Sequence, residues 1–271
     1  MERAGTHRRY YRLGAYGPAT KEAETALALS IEIAGEKSPL TASMLNNLGL
    51  ALEGRGDYKR AILAHERALN ILLALADRGP DHRETASVYL NFGYDQLQDG
   101  STEKAIGYFQ SALKIREKIG IQLDGDQMQI ANCYDYLGLG YLAKGDLNMA
   151  RQYAELALSK KRSHTIPDSD MMTGTYNLLG KIYAAENKHA KALEYFQKTL
   201  QIWGQTVGKV HPYYAETLGY IAETYEKAGK RTEALENYER AFKAAKVRLG
   251  IDHVATSRYA RAITRLEKAK K

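Results

Sequence analysis

An alanine that returns every 42 to 45 residues constrains this chain more than any other feature. Ala19, Ala61, Ala105, Ala150, Ala192 and Ala234 are the markers, and seven residues after each stands Ala26, Ala68, Ala112, Ala157, Thr199 or Ala241, nearly always followed by leucine. Twelve residues before the markers, from the second onward, come Gly49, Gly93, Gly138, Gly180 and finally Ala222. Each is preceded by a large apolar residue: Leu48, Phe92, Leu137, Leu179 and Ile221. Three residues past the glycine are Leu52, Tyr141, Tyr183 and Tyr225, with Gln96 the exception. A period of this length describes stacked supersecondary units, each too small to bury its own apolar face.

The offsets of three, four and seven are helical, so each unit holds a first helix with the glycine and a second helix with the two alanines. The turn between them is written Gly54-Arg-Gly-Asp57, Asp99-Gly100, Lys144-Gly-Asp146, Glu186-Asn187 and Ala228-Gly-Lys230. These residues stop and cap helices. A glycine inside a helix costs about 1 kcal/mol relative to alanine, so its recurrence needs a packing reason. Small residues on both helices that let the two backbones approach are the simplest one, with Tyr89, Tyr134 and Tyr176 in the core beside them.

The order large residue-Gly, aromatic three on, then Ala, aromatic and Ala resembles the tetratricopeptide repeat, over nearly the whole chain. The unit is longer than the family's usual length of about 34 residues, and in that it is similar to the repeats of kinesin light chains. Leu45-Asn-Asn-Leu-Gly49 and Leu249-Gly-Ile-Asp-His253 resemble that subgroup. The usual first-helix tryptophan is replaced by Leu45, Tyr89, Tyr134, Tyr176 and Leu218.

The resemblance implies an all-α fold, an α-α superhelix of about 12 to 13 helices forming one right-handed solenoid over 1–271. Its units are expected near 1–37, 38–80, 81–123, 124–166, 167–208 and 209–250, with a capping helix over 252–271. Ala19 then belongs to a second helix, roughly Pro18 to Ala34. Its short first helix, Thr6 to Leu13 with Tyr10 at the aromatic position, places Met1 partway into a repeat, as in an excerpt of a longer protein.

The same resemblance implies a concave surface lined by first helices, where a partner protein or peptide binds. By the family's geometry the inward positions include Ser43, Asn46, Ser87, Tyr94, Asn132, Asp135, Asn177, Lys181, Glu216 and Glu223, flanked by Asn47 and Asn91. Asparagine is a poor helix-interior residue whose amide both donates to and accepts from an extended backbone. The alternative is an asparagine that bonds the neighbouring helix and stabilises the repeat. Tyr94 and Tyr220 are candidate anchors. The paired Lys and Asn that grip a C-terminal carboxylate in chaperone-binding members are not matched, so that ligand is not expected.

On the last helix Arg258, Arg261, Arg265 and Lys268 form a basic stripe that suits an acidic peptide or phosphate. Glu216, Glu223 and Glu226 stand 42 residues before Arg258, Arg265 and Lys268. Pairing between adjacent helices is the competing explanation of the stripe, at about 0 to 1 kcal/mol per exposed pair.

Composition excludes several classes. A net charge of +7 is mild for 271 residues and does not argue for nucleic acid. No apolar run is long enough to span a membrane, and the basic start lacks a secretion signal. Cys133 is the single cysteine, which rules out an intrachain disulfide and fits a reducing compartment, with cytoplasm the expected location. It reads as a packed residue rather than a nucleophile.

His82, His211 and His253 share one position, four residues before each first helix's reference point, where another repeat has Ser38. Ser38-Pro39 and His211-Pro212 read as a cap followed by proline, and Asp81 with Glu84 as a capping box. No paired histidines, phosphate loop, dinucleotide glycines or serine elbow are present, so no metal, cofactor or catalysis is expected. An adaptor or scaffold binding a partner segment is the leading functional expectation. A regulatory region of a larger signalling protein is the alternative. A nucleic-acid binder using Arg258, Arg261, Arg265 and the Arg8, Arg9, Arg12 cluster ranks third.

Overall fold

The computed structural model of the protein describes residues 10, 12–75, 82–123, 125–164 and 169–268. Among these are twelve α-helices and no strand. In chain order they are α1 (Tyr16–Ala34), α2 (Pro39–Gly54), α3 (Tyr58–Ala74), α4 (Arg83–Gln98), α5 (Thr102–Ile119) and α6 (Asp126–Lys144). Then follow α7 (Leu147–Arg162), α8 (Thr173–Ala185), α9 (His189–Thr206), α10 (Pro212–Lys227), α11 (Arg231–Leu249) and α12 (Val254–Lys268), with a short 3-10 turn, Asp170–Met172, before α8. The alternation of first and second helices expected from the repeat is borne out. Of the short helix expected over residues 6–13, residues 6–9 and 11 lie outside the described residues, as do Arg8 and Arg9.

The chain divides into two compact units, Met1–Lys160 and Lys161–Lys271. Within the first, each helix from α1 to α6 packs on the next, and α4 also touches α2 and α6. Within the second, the same holds from α8 to α12, with α10 also touching α8. Each unit is therefore a run of helix pairs whose first helices neighbour one another.

Helix starts follow the expected chemistry. Ser38 Oγ accepts from the Thr41 amide at 3.1 Å, and Pro39 opens α2. The Nδ1 atoms of His82, His211 and His253 each accept a main-chain N–H two residues on, at 3.2 Å. These three histidines satisfy amides that the helix itself leaves unpaired. Asp81 lies outside the described residues, so the N-cap seen is His82. The turn between paired helices has one fixed left-handed position: Gly14, Gly56, Gly100, Gly145, Asn187 and Gly229 all have positive φ. Each lies five residues before a marker alanine, and Asn187 is the one non-glycine.

All six marker alanines are fully buried. The glycines, however, serve rings more than backbones. A Cβ on Gly93 would stand 2.6 Å from Phe109 Cε1, and one on Gly180 2.5 Å from Phe196 Cε1. At Gly49 the same space is filled by the imidazole of His65. The expected approach of small residues is met at Gly93, where a Cβ would also stand 3.2 Å from the Ala105 carbonyl oxygen, but the glycine is chiefly a slot for a large side chain four residues past the marker. The core tyrosines divide as well. Tyr176 is buried, while Tyr89 and Tyr134 are half-buried, the first stacked on Tyr108 and the second tilted against Tyr153.

Candidate binding face on the first helices

In the first unit the candidate face is built from α2, α4 and α6. Asn46 on α2 and Asn91 on α4 bond to each other, Asn91 Nδ2 donating to Asn46 Oδ1 at 2.9 Å. For this pair the structure shows the stabilising alternative, a side-chain link between neighbouring first helices. Asn47, one residue and about 100° round the helix from Asn46, is 9% exposed and belongs to the interior rather than the face. Tyr94 meets Tyr136 edge-on with centroids 6.2 Å apart. Ser43, Asn132 and Asp135 are half-buried.

Ser87 is engaged by a residue that the sequence reading passed over. Arg116 reaches from α5 so that its Nη2 donates to Ser87 Oγ at 2.7 Å, and its own side chain is 6% exposed. Its Nε is buried without a hydrogen-bond partner. The signal was available: eleven residues past the marker other repeats have Leu72, Trp203 and Ala245, whereas here are Arg116 and then Lys161, both buried. Beside it, Arg83 donates from Nε and Nη2 to the carboxylate of Asp126 at 3.2 and 2.8 Å. Asp126 also accepts the amides of Gln122 and Leu123 at 2.9 Å. The guanidinium and these N–H groups hold the Asp126 carboxyl well below the usual carboxylate range.

In the second unit the face is built from α8, α10 and α12. Lys181 on α8 places its Nζ 4.1 Å from the ring centroid of Tyr220 on α10, and Tyr220 donates its hydroxyl to Glu216. Burial lowers the Lys181 pKa, opposed by the nearby charges of Glu216 and Glu223. Four residues before Lys181, on the same side of α8, Asn177 has its Oδ1 buried without a partner.

The basic stripe on α12 is partly spent on structure. Arg265 grips Glu226 with both terminal nitrogens, Nη2 to Oε2 at 3.0 Å. Its position-for-position equivalent was Glu223, so the pairing is realised one turn further along α10 than expected. Glu226 is held there by the Tyr238 hydroxyl at 3.1 Å. Arg258 lies against Tyr259, with Nη2 3.4 Å from the hydroxyl. Arg261 and Lys268 are exposed along a shallow depression that also includes Ala260 and Thr264.

No described helix is long and apolar enough to cross a membrane. Cys133 is buried, and desolvation pushes its thiol up to about 12, far from a reactive thiolate at neutral pH. A third polar group, Glu53, His65 and Asp95, is buried between α2, α3 and α4 and carries none of the expected face residues.

Compared with known proteins, the chain matches the tetratricopeptide repeat over residues 10–74 and 171–246, just over half its length. It is 26% identical over 218 residues to lipopolysaccharide assembly protein B of Escherichia coli K12, covering 72% of this chain and 52% of that protein. It is 23% identical over 230 residues to kinesin light chain-related protein 1 of Arabidopsis thaliana, covering 69% of this chain and 37% of that one. The chain thus spans about half, or less, of the length of these curated relatives. Among solved structures it is similar to NprR in complex with its cognate peptide NprX, with TM-score 0.71, 18% identity, and coverage of 97% of this chain and 74% of that one.

Proposed function

The chain belongs to the tetratricopeptide repeat family, and we propose from that premise that it is a protein-interaction module holding an extended segment of a partner protein against its first helices. Asn177 carries this reading. Its Oδ1 is buried without a donor on a first helix, one turn before a lysine that faces the next first helix. An unsatisfied buried acceptor costs about 1 to 3 kcal/mol, and a main-chain N–H of a bound segment supplies the missing donor. Taken by itself, the first unit has an orphan donor of its own, Arg116 Nε beside Ser87, suited to a carbonyl or carboxylate.

Binding rather than catalysis is the role of these groups: on the described faces the cysteine is buried and three of the histidines cap helices. The protein-complexed or peptide-complexed state of similar folds, NprR with NprX among them, supports the same class of ligand. The lone cysteine supports a reducing compartment, and we place the protein in the cytoplasm. A regulatory version of this role, in which the bound peptide is the signal, is supported by a likeness to the Rap conjugation gene regulator of plasmid pLS20 in complex with the Phr* peptide.

The test is affinity for peptides selected on the full chain from a random display library, measured by fluorescence anisotropy. Asn132→Ala, Asn177→Ala and Lys181→Ala, each shown to be folded, are expected to weaken binding about tenfold or more, as loss of a hydrogen bond to a desolvated partner does. Unchanged affinity in all three sinks the assignment of the face.

A further inference from the structure

The Glu53, His65 and Asp95 group is not explained by the repeat. One repeat on, the three corresponding positions are Leu97, Phe109 and Gly140, and in the second unit Ala184, Phe196 and Thr224. In those two places the side chains are apolar or small, and at the last junction Glu226, Tyr238 and Leu266 include a single carboxylate, so three ionisable groups together are a departure, and apolar packing there is the cheaper solution than buried charge. Three ionisable residues at a single junction therefore serve something other than the stack.

The local geometry is specific. His65 and Asp95 are fully buried, and Glu53 is 11% exposed. His65 Nδ1 lies 2.6 Å from Asp95 Oδ2 and 3.8 Å from Glu53 Oε1. The other ring nitrogen, Nε2, lies 3.3 Å from the Asn46 carbonyl oxygen, which can only accept, so Nε2 carries a hydrogen. This leaves Nδ1 turned towards both carboxylates. Asp95 Oδ1 and Glu53 Oε1 are buried without hydrogen-bond partners. Carboxylate oxygens that receive no N–H or hydroxyl donor, set beside an imidazole nitrogen, form a donor set that one cation can satisfy.

We infer that Glu53, His65 and Asp95 form a binding site for one divalent transition-metal ion of the zinc type, enclosed between α2, α3 and α4. One donor atom from each residue falls within 4.8 Å of the others, a small side-chain adjustment from what bonds of about 2.0 to 2.2 Å require. The Nε2–H to Asn46 contact is the outer anchor that orients a metal-ligating imidazole. One imidazole and two carboxylates suit zinc-type ions better than calcium, which takes oxygen donors alone.

The ion would join two consecutive repeats through three helices, and would set the position of Asn46 from behind.

The experiment uses the full chain, stripped with chelator and dialysed against Zn2+, with bound metal measured by elemental analysis and affinity by calorimetry. The wild type is expected to retain one Zn2+ per chain and to melt at higher temperature with Zn2+ than without. Glu53→Gln keeps the shape of a protonated carboxyl, and His65→Phe copies the side chain at Phe109. Both are expected to fold and to bind Zn2+ more than about 100-fold more weakly, a greater loss than removal of an outer anchor causes. Visible d–d bands of the Co2+ form should disappear in both. A wild type that retains less than one ion, or variants that bind as the wild type does, would overturn the site.

Discussion

Asn91 Nδ2 donates to Asn46 Oδ1 at 2.9 Å, joining two first helices across 45 residues of chain. Each amide gives up part of its capacity to a neighbour rather than to a ligand. Asn46→Ala and Asn91→Ala are each expected to lower stability by about 1 kcal/mol, with a coupling energy of about the same size in a double-mutant cycle. Chemical denaturation of the four proteins measures it. Additive effects would show that the bond contributes nothing.

The ring slots make a second prediction. Gly180→Ala sets a methyl group against the Phe196 ring, which is itself 1% exposed and has nowhere to move. Overpacking of about 1 to 3 kcal/mol exceeds the roughly 1 kcal/mol that alanine gains in helix propensity. The variant should be less stable, and adding Phe196→Leu should recover part of the loss. A Gly180→Ala protein as stable as the wild type would refute the slot.

The left-handed turn position makes a third. Asn187 has φ 58° where the equivalent residues are glycine. Asn187→Gly should be neutral or stabilising by a few tenths of a kcal/mol, whereas Gly145→Ala should cost about 1 to 2 kcal/mol. Thermal melts of the two variants report the opposite signs.

A fourth concerns acid. The Asp126 carboxyl is depressed in the folded chain by Arg83 and by the Gln122 and Leu123 amides. Its stabilisation is present in full above the ordinary aspartate value of about 3.9 and is lost as pH falls below it towards the folded value. Asp126→Asn should therefore be less stable than the wild type at neutral pH, with the gap closing in acid. Glu53 has the reverse sign: its carboxyl is raised, so its burial costs more as pH rises above the unfolded value of about 4.3. Metal-free Glu53→Gln should gain on the wild type as pH increases. Urea midpoints followed across pH separate the two.

The helix pairs were legible because close packing forces the same small residue into the same place in every unit, as Ala61, Ala105 and Ala192 show. The caps were legible because Ser38, His82, His211 and His253 repeat at one phase. What the glycines accommodate was not, since the ring that enters the slot is His65 in one unit and Phe109 or Phe196 in others, and no shared letter marks it. Glu53, His65 and Asp95 were hidden for a further reason. They come from three helices in two repeats, and their proximity depends on how successive pairs stack. The charge ladder was legible in sign but not in register: Arg265 reaches Glu226 because its long side chain extends a turn past the equivalent position.

Site-specific photocrosslinking tests the binding face most directly. A photoreactive residue replaces Asn132 or Lys181 on first helices, or Leu63 or Val247, which are 64% and 66% exposed on second helices. A peptide selected on the full chain should crosslink from positions 132 and 181 and not from 63 or 247. Crosslinks confined to the second-helix positions would contradict the account.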